Sequence, residues 1–260
     1  MAVGREEAAQ GRADRATLVV AHPGHELRVH HWLEVARPTV FVLTDGSGAV
    51  GRSRLASTTA LLAKCGASPG RIYGRFTDRA LYAAIIRGDA ALFAALAVEL
   101  AEALCIEETT YVAGDASEGY HPGHDLCHVL VQAAVALAGR AGQRTRAFDF
   151  PLVGSPDAGE IASETVSLAL DDAALGRKIA ASRAYAELEG EVDRALDAHG
   201  IEAFRVERLR PVGGEIERAS PPYYERYGEQ QVARGRYAEV LRYREHVAPL
   251  VLATRRRLGL

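Results

Sequence analysis

Short, unbroken apolar runs alternate along this chain with longer amphipathic stretches. The runs lie at 17–23 (TLVVAHP), 39–44 (TVFVLT), 71–76 (RIYGRF), 109–113 (TTYVA), 145–150 (TRAFDF) and 163–170 (SETVSLAL). Continuous apolar character with β-branched residues predicts strands, most of them buried on both faces. Between them, 25–36, 54–64, 81–105 and 125–138 have helical length and apolar spacing. Pro38 breaks the chain before the second strand, Gly66 with Pro69-Gly70 closes the second helix, and Gly88-Asp89 interrupts the third. A further long helix is expected over 172–199, capped by Asp171 or Asp172 and ended by Gly200. Residues 202–209 alternate and predict an edge strand, and two last helical pieces fall at 225–233 and 237–258. This alternation predicts an α/β fold with a mainly parallel, Rossmann-like sheet covered by helices on both faces. No Gly/Ser/Pro-rich linker divides the chain, so one domain is expected over 16–260, with a helical extension over 211–260. The polar residues 1–15 read as a disordered leader without the apolar centre of a signal peptide.

Composition narrows the partners. Apolar residues make up 48% of the 260, enough for a sizeable core. A formal charge of −3 gives no reason to expect nucleic acid or an anionic membrane surface. No apolar run approaches the roughly 18 residues that span a bilayer. The three scattered cysteines, Cys65, Cys105 and Cys127, suggest free thiols in a reducing cytoplasm, not a disulfide framework. A homo-oligomer is compatible with all of this.

Candidate chemistry concentrates at two strand ends. The first strand runs into Ala21-His22-Pro23-Gly24-His25-Glu26, and the fourth into a loop ending His121-Pro122-Gly123-His124. Open α/β sheets bind ligands outside the carboxyl ends of their strands. Four histidines delivered there point to a metal site.

At these two motifs the chain resembles the LmbE/PIG-L family of metal-dependent N-acetylglucosaminyl deacetylases and amidases. AHPGHE resembles that family's A-H-P-D-D-E, and HPGH its H-P-D-H. The order and spacing of the likeness extend over about 17–210, taking in the TDGSG loop at 44–48 and the stretch LDDAALGRKIAASRAY at 170–185. The resemblance implies a divalent ion, most often Zn²⁺, held by His22, His25 and His124. It implies that His121 stabilises an oxyanion or protonates the leaving amine, and that Arg54 and Asp78 contact a hydroxyl-bearing substrate. The implied partner is a small molecule such as an N-acetylated amino sugar.

The departures from the family pattern carry as much information. Gly24 stands where the family has its general base, and Gly123 where a carboxylate orients the first histidine of the second motif. One carboxylate ligand is replaced by His25. Three neutral imidazoles with an open position are an established catalytic zinc arrangement, and such a set also suits Fe²⁺, Mn²⁺ or Co²⁺. Asp45, in the loop after strand two, and Asp115, at the end of strand four, lead the candidates for a replacement base, ahead of Glu26, Glu118 and Asp125. Two other readings stay open: a non-hydrolytic or redox enzyme on the three-histidine site, and a binding protein without catalysis. His30, His31, His128 and Cys127 read as packing or surface residues, and the Tyr-rich stretch 221–227 as an interface or a pocket rim.

Overall fold

The computed structural model describes residues 14–48, 51–154, 163–213 and 221–260. The leader expected over 1–15 lies, except for Asp14 and Arg15, outside the described residues. Strands β1 (Ala16–Val20), β2 (Thr39–Thr44), β3 (Ser68–Phe76), β4 (Tyr111–Asp115), β5 (Arg146–Phe150), β6 (Val166–Ala169) and β7 (Val206–Pro211) form one sheet in the order β3-β2-β1-β4-β5-β7-β6. The pairs among β1 to β5 are parallel, whereas β7 is antiparallel to both β5 and β6. Helices α1 (His30–Ala36), α2 (Leu55–Cys65), α3 (Asp78–Ile86), α4 (Ala90–Ile106) and α5 (Pro122–Arg140) alternate with the parallel strands.

The apolar runs explain this arrangement. Along β1, Leu18 and Val20 face one layer of the core and Val19 the other, and β2 repeats the pattern with Val40 and Val42 against Phe41 and Leu43. Both faces are buried, so alternation along these strands separates two apolar layers instead of core from solvent. Thr77 and Asp89 cap α3 and α4 by accepting the amides of Ala80 and Leu92.

The chain goes outward from β1 through β2 to β3 and then returns to place β4 on the other side of β1. That reversal opens a crevice beyond the carboxyl ends of β1 and β4. Both histidine motifs begin there.

The C-terminal third differs from expectation in three places. The single helix expected over 172–199 is α6 (Asp172–Arg183), a 3₁₀ turn (Ala186–Leu188) and α7 (Glu189–His199). Tyr185 is the cause of the break. Its ring is buried, and its hydroxyl lies 2.8 Å from Thr58 Oγ1 and 3.2 Å from the Arg54 carbonyl, contacts a continuous helix could not deliver. The strand expected at the edge is interior, because β6 pairs outside it. Helix α8 (Tyr223–Ala233) matches the first terminal piece, but α9 begins only at Ala248 and runs to Leu258. It is preceded by a π-helical turn (Tyr243–Val247), and before that the Leu241 amide donates to Tyr82 Oη and the Tyr243 amide to Glu225 in place of helical bonds. Helix α9 packs on α4 and α5.

Candidate metal centre

Gly24 sets the geometry of the first motif. Its φ of 105° is a conformation that a side chain disfavours, and it turns the chain sharply after Pro23 into a 3₁₀ turn (His25–Val29). The buried Glu26 braces this turn: one carboxylate oxygen accepts the Gly24 amide at 2.8 Å and the other the Thr58 hydroxyl at 2.6 Å. Burial pushes the Glu26 carboxyl above its ordinary range, and those hydrogen bonds counter part of the effect. The second motif opens α5. His121 is its N-cap and accepts the Gly123 amide on Nδ1 at 3.1 Å, with Pro122 in the first turn.

These turns bring four imidazoles together. Ring centroids are 4.7 Å apart for His22 and His121, 4.6 Å for His25 and His124, 5.0 Å for His121 and His124, and 5.3 Å for His22 and His25. One ligand atom from each of His22, His121 and His124 lies within 4.8 Å of the other two. His25 stands beside this trio with Nδ1 3.0 Å from both oxygens of Asp115. Asp115 is fully buried and also accepts the Ala21 amide at 2.8 Å. His22 is backed in the same way: Nδ1 lies 2.9 Å from Asp78 Oδ1 and 2.8 Å from Thr44 Oγ1. The other Asp78 oxygen accepts the Gly48 amide at 2.6 Å. Burial has the largest single effect on the Asp78 carboxyl and raises it, but the hydrogen bond and charge of His22, with the hydrogen bonds of Thr44 and Gly48, together outweigh it and hold it well below the usual carboxylate range.

The hydrogen bonds fix the tautomers and test whether a cation fits. A carboxylate only accepts, so His22 Nδ1 carries a proton and donates to Asp78, and Nε2 is the nitrogen turned toward His121. His121 Nδ1 already turns its one lone pair to the Gly123 amide. These two nitrogens face each other at 3.1 Å. A cation shared by these rings would compete with the Gly123 amide for the His121 lone pair. Nearby, His124 Nδ1 is buried without a hydrogen-bond partner. Burial, followed by the neighbouring imidazoles, holds His121 and His124 well below the ordinary histidine value, so both rings are neutral and able to ligate. Carboxylates behind His22 and His25 match the way ligating imidazoles are oriented. The donor set therefore fits a divalent ion of the zinc type.

The remaining predicted residues divide. Arg54 and Asp78 line a cavity of about 710 Å³ together with the four histidines. Asp45 is outside the lining, and its Oδ1 accepts the Ser47 amide at 3.0 Å. Asp115 reaches the centre only through His25. Glu118 accepts the amides of Leu152 and Val153, and Asp125 accepts the Ser117 hydroxyl and the Gly119 amide. Tyr223, Tyr224 and Tyr227 line the same cavity, with Tyr223 stacked on Tyr120 at 4.9 Å. Sequence reasoning missed Leu188, which covers Gly24, and Arg28 in the cavity wall. Only the position of Arg28, three residues after His25 on the same turn, carried a signal for it.

The fold and the histidine cluster thus define a class: an α/β protein with a metal-type centre at the switch point of its sheet. No family model and no curated protein matches the chain. Among solved structures, the conserved protein TT1542 from Thermus thermophilus is similar over 79% of this chain and 98% of its own, at 17% identity and a TM-score of 0.51. A deacetylase of the teicoplanin biosynthesis pathway, in a complex described as deacetylase-bog, gives a TM-score of 0.52 at 17% identity, over 77% of this chain and 100% of its own. The zinc-inhibited form of teicoplanin deacetylase Orf2 gives 0.50 at 13% identity, over 77% and 100%. At these identities the likeness establishes the fold, which is that of these deacetylases.

Proposed function

We propose that this protein is a metal-dependent hydrolase that removes an N-acyl group from a small molecule, an amino sugar being the favoured class and zinc the favoured ion. The observation that carries this reading is the trio of ligand atoms from His22, His121 and His124 within 4.8 Å. The shared fold with deacetylases and the four-histidine motifs support it.

His22 and His124 hold the ion with a third imidazole, and the distances favour His121. A bound divalent ion supplies Lewis-acid polarisation of the acyl carbonyl and lowers the pKa of water. His25 is then free to act as the base that Gly24 does not provide. Its Nδ1 donates to Asp115, which leaves Nε2 as an acceptor facing the cluster. His25 takes the proton from the attacking water, Asp115 stabilises the imidazolium so formed, and the same proton passes to the departing amine. Asp78 orients His22, and Arg54 is the residue placed to hold the substrate. This assignment exchanges His25 and His121 relative to the resemblance, with the same four residues.

Elemental analysis of purified wild type, His121→Ala and His25→Ala, paired with deacetylation of N-acetylated sugars, tests the reading. Wild type should carry one equivalent of zinc, His121→Ala should lose it, and His25→Ala should keep it while kcat falls about 10²- to 10⁴-fold. Loss of metal in His25→Ala and retention in His121→Ala would restore the set His22, His25 and His124. Wild type that acquires no divalent ion would overturn the proposal, and stoichiometric iron would redirect it to oxidation chemistry.

A further inference from the structure

Among the described residues that line the cavity, the charges do not balance. Arg28, Arg54, Lys178 and Arg194 line it as cations, and Asp78 and Glu191 as carboxylates. Lys178 is paired with Glu207 at 2.8 Å, Arg194 lies 3.5 Å from Glu191, and Asp78 is bound to His22. That leaves Arg28 and Arg54, neither of which has a carboxylate within ion-pair distance among the described residues.

Arg28 is the more constrained. Its Nη2 donates to the Leu152 carbonyl, and its Cζ sits 5.7 Å from the centroid of the Phe204 ring. Its Nη1 is buried with no hydrogen-bond partner. Glu118 is the nearest compensating acid, but one of its oxygens already accepts two backbone amides. Burial raises the Glu118 carboxyl toward its neutral form and lowers the Arg28 guanidinium, opposing charge on both. A cation fixed by a carbonyl and an aromatic face, with one buried nitrogen unsatisfied, on a residue that lines the cavity, is stabilised by an anion that comes within reach of it.

The geometry points to Arg28 as an anion-binding residue, so that the compound taken into the cavity carries a carboxylate or phosphate group besides the bond to be cleaved. This inference rests on reading the cavity as the substrate site. The neutral ring of a plain N-acetylated sugar would leave Arg28 unpaired, whereas an acidic sugar or an N-acylated amino acid would satisfy it.

Thermal melting of the full-length protein in acetate or phosphate, against chloride at equal ionic strength, tests the anion site apart from the chemistry. Each titration is run with and without EDTA, so that anions on a histidine-bound ion are separated from anions on Arg28. Wild type should show a saturable rise in midpoint of about 2 °C or more, retained with EDTA and in Arg28→Lys, and lost in Arg28→Met. A rise with acetate alone identifies a carboxylate, and with phosphate alone a phosphoryl group. No saturable rise in wild type, an equal rise in Arg28→Met, or a rise that EDTA abolishes would overturn the inference. Should Arg28→Met fail to fold, Arg28→Gln and the wild-type titration decide it. Failure of the hydrolase reading shows elsewhere, as wild type without metal or turnover.

Discussion

Replacing Gly24 tests how tightly the turn of the first histidine motif is closed. An added Cβ at Gly24 would stand 2.3 Å from Leu188 Cδ1, far inside van der Waals contact, and 3.7 Å from the Tyr185 ring. The backbone also sits at φ 105° and ψ −18°, outside the range that L-residues populate at low energy. Two terms therefore add. The left-handed backbone costs a non-glycine residue about 1–2 kcal/mol. Overpacking costs about 1–3 kcal/mol, toward the lower end here because the obstructing atom is the tip of a flexible side chain. Gly24→Ala should lose about 2–4 kcal/mol, or about 5–12 °C of melting temperature in a chain of this size. Gly24→Asp should lose at least as much and recover no activity, because its carboxylate would have to displace Leu188. Urea denaturation of Gly24→Ala, Leu188→Ala and the double variant separates the terms: the double variant should keep the backbone cost and lose the steric one. A Gly24→Ala protein as stable as wild type would refute the reasoning.

Three further outcomes follow from other sites. Lys178 donates to Glu207 and to the Arg28 carbonyl, all but sealed from solvent, so Lys178→Met should leave an unpaired buried carboxylate and cost about 3–5 kcal/mol by denaturant melting; the double variant Lys178→Met/Glu207→Leu should be less damaged than either single one. Glu34 is held down to about 2 by its paired hydrogen bonds to Arg177, with burial opposing and His31 assisting. Its folded value lies below the ordinary 4.5, so its contribution is present above about pH 4.5 and is lost as pH falls toward 2. Glu34→Gln should therefore destabilise at pH 7, by no more than about 1 kcal/mol because Arg177 is half exposed, and should match wild type near pH 2. Burial pushes the Cys65 thiol up to about 11 and Cys127 well above its ordinary value, so labelling at pH 8 should modify only Cys105 in native protein and all three on unfolding.

The sheet was legible because apolar runs report burial directly: β1, β2 and β4 are buried at nearly every residue, whereas β3 and β5 are buried at few. What the sequence concealed is long-range. Tyr185 ends a helix because Thr58 and Arg54 lie in its path, and no local signal between 172 and 199 records that. The interior position of β7 depends on which strand pairs outside it, which periodicity does not encode. At the site, the H-x-x-H spacing located all four histidines, since a strand end and a tight turn deliver them by local rules. Their partners were not readable. Asp78 sits 56 residues from His22 and Asp115 90 residues from His25, and each pair meets only through the sheet order.

The two glycines that depart from the family pattern belong to one geometry. A Cβ at Gly123 would stand 3.0 Å from His121 Nδ1 and 3.0 Å from His22 Nε2, the two nitrogens that face each other. A side chain there would crowd both nitrogens, so one ring or the other would have to shift to admit it. Gly24 meets the parallel demand from the opposite side, where Leu188 closes over the turn that presents His25. The same turn carries His25 to Asp115, which supplies from β4 a carboxylate behind a histidine. Loss of function by drift would remove side chains without arranging their replacements. Here the two glycines that stand where the resemblance places carboxylates each lie against a close neighbour, and His22 and His25 each have a carboxylate partner from another element, Asp78 and Asp115. That pairing argues for an arrangement organised around histidine, with Asp78 and Asp115 set behind two of the four rings.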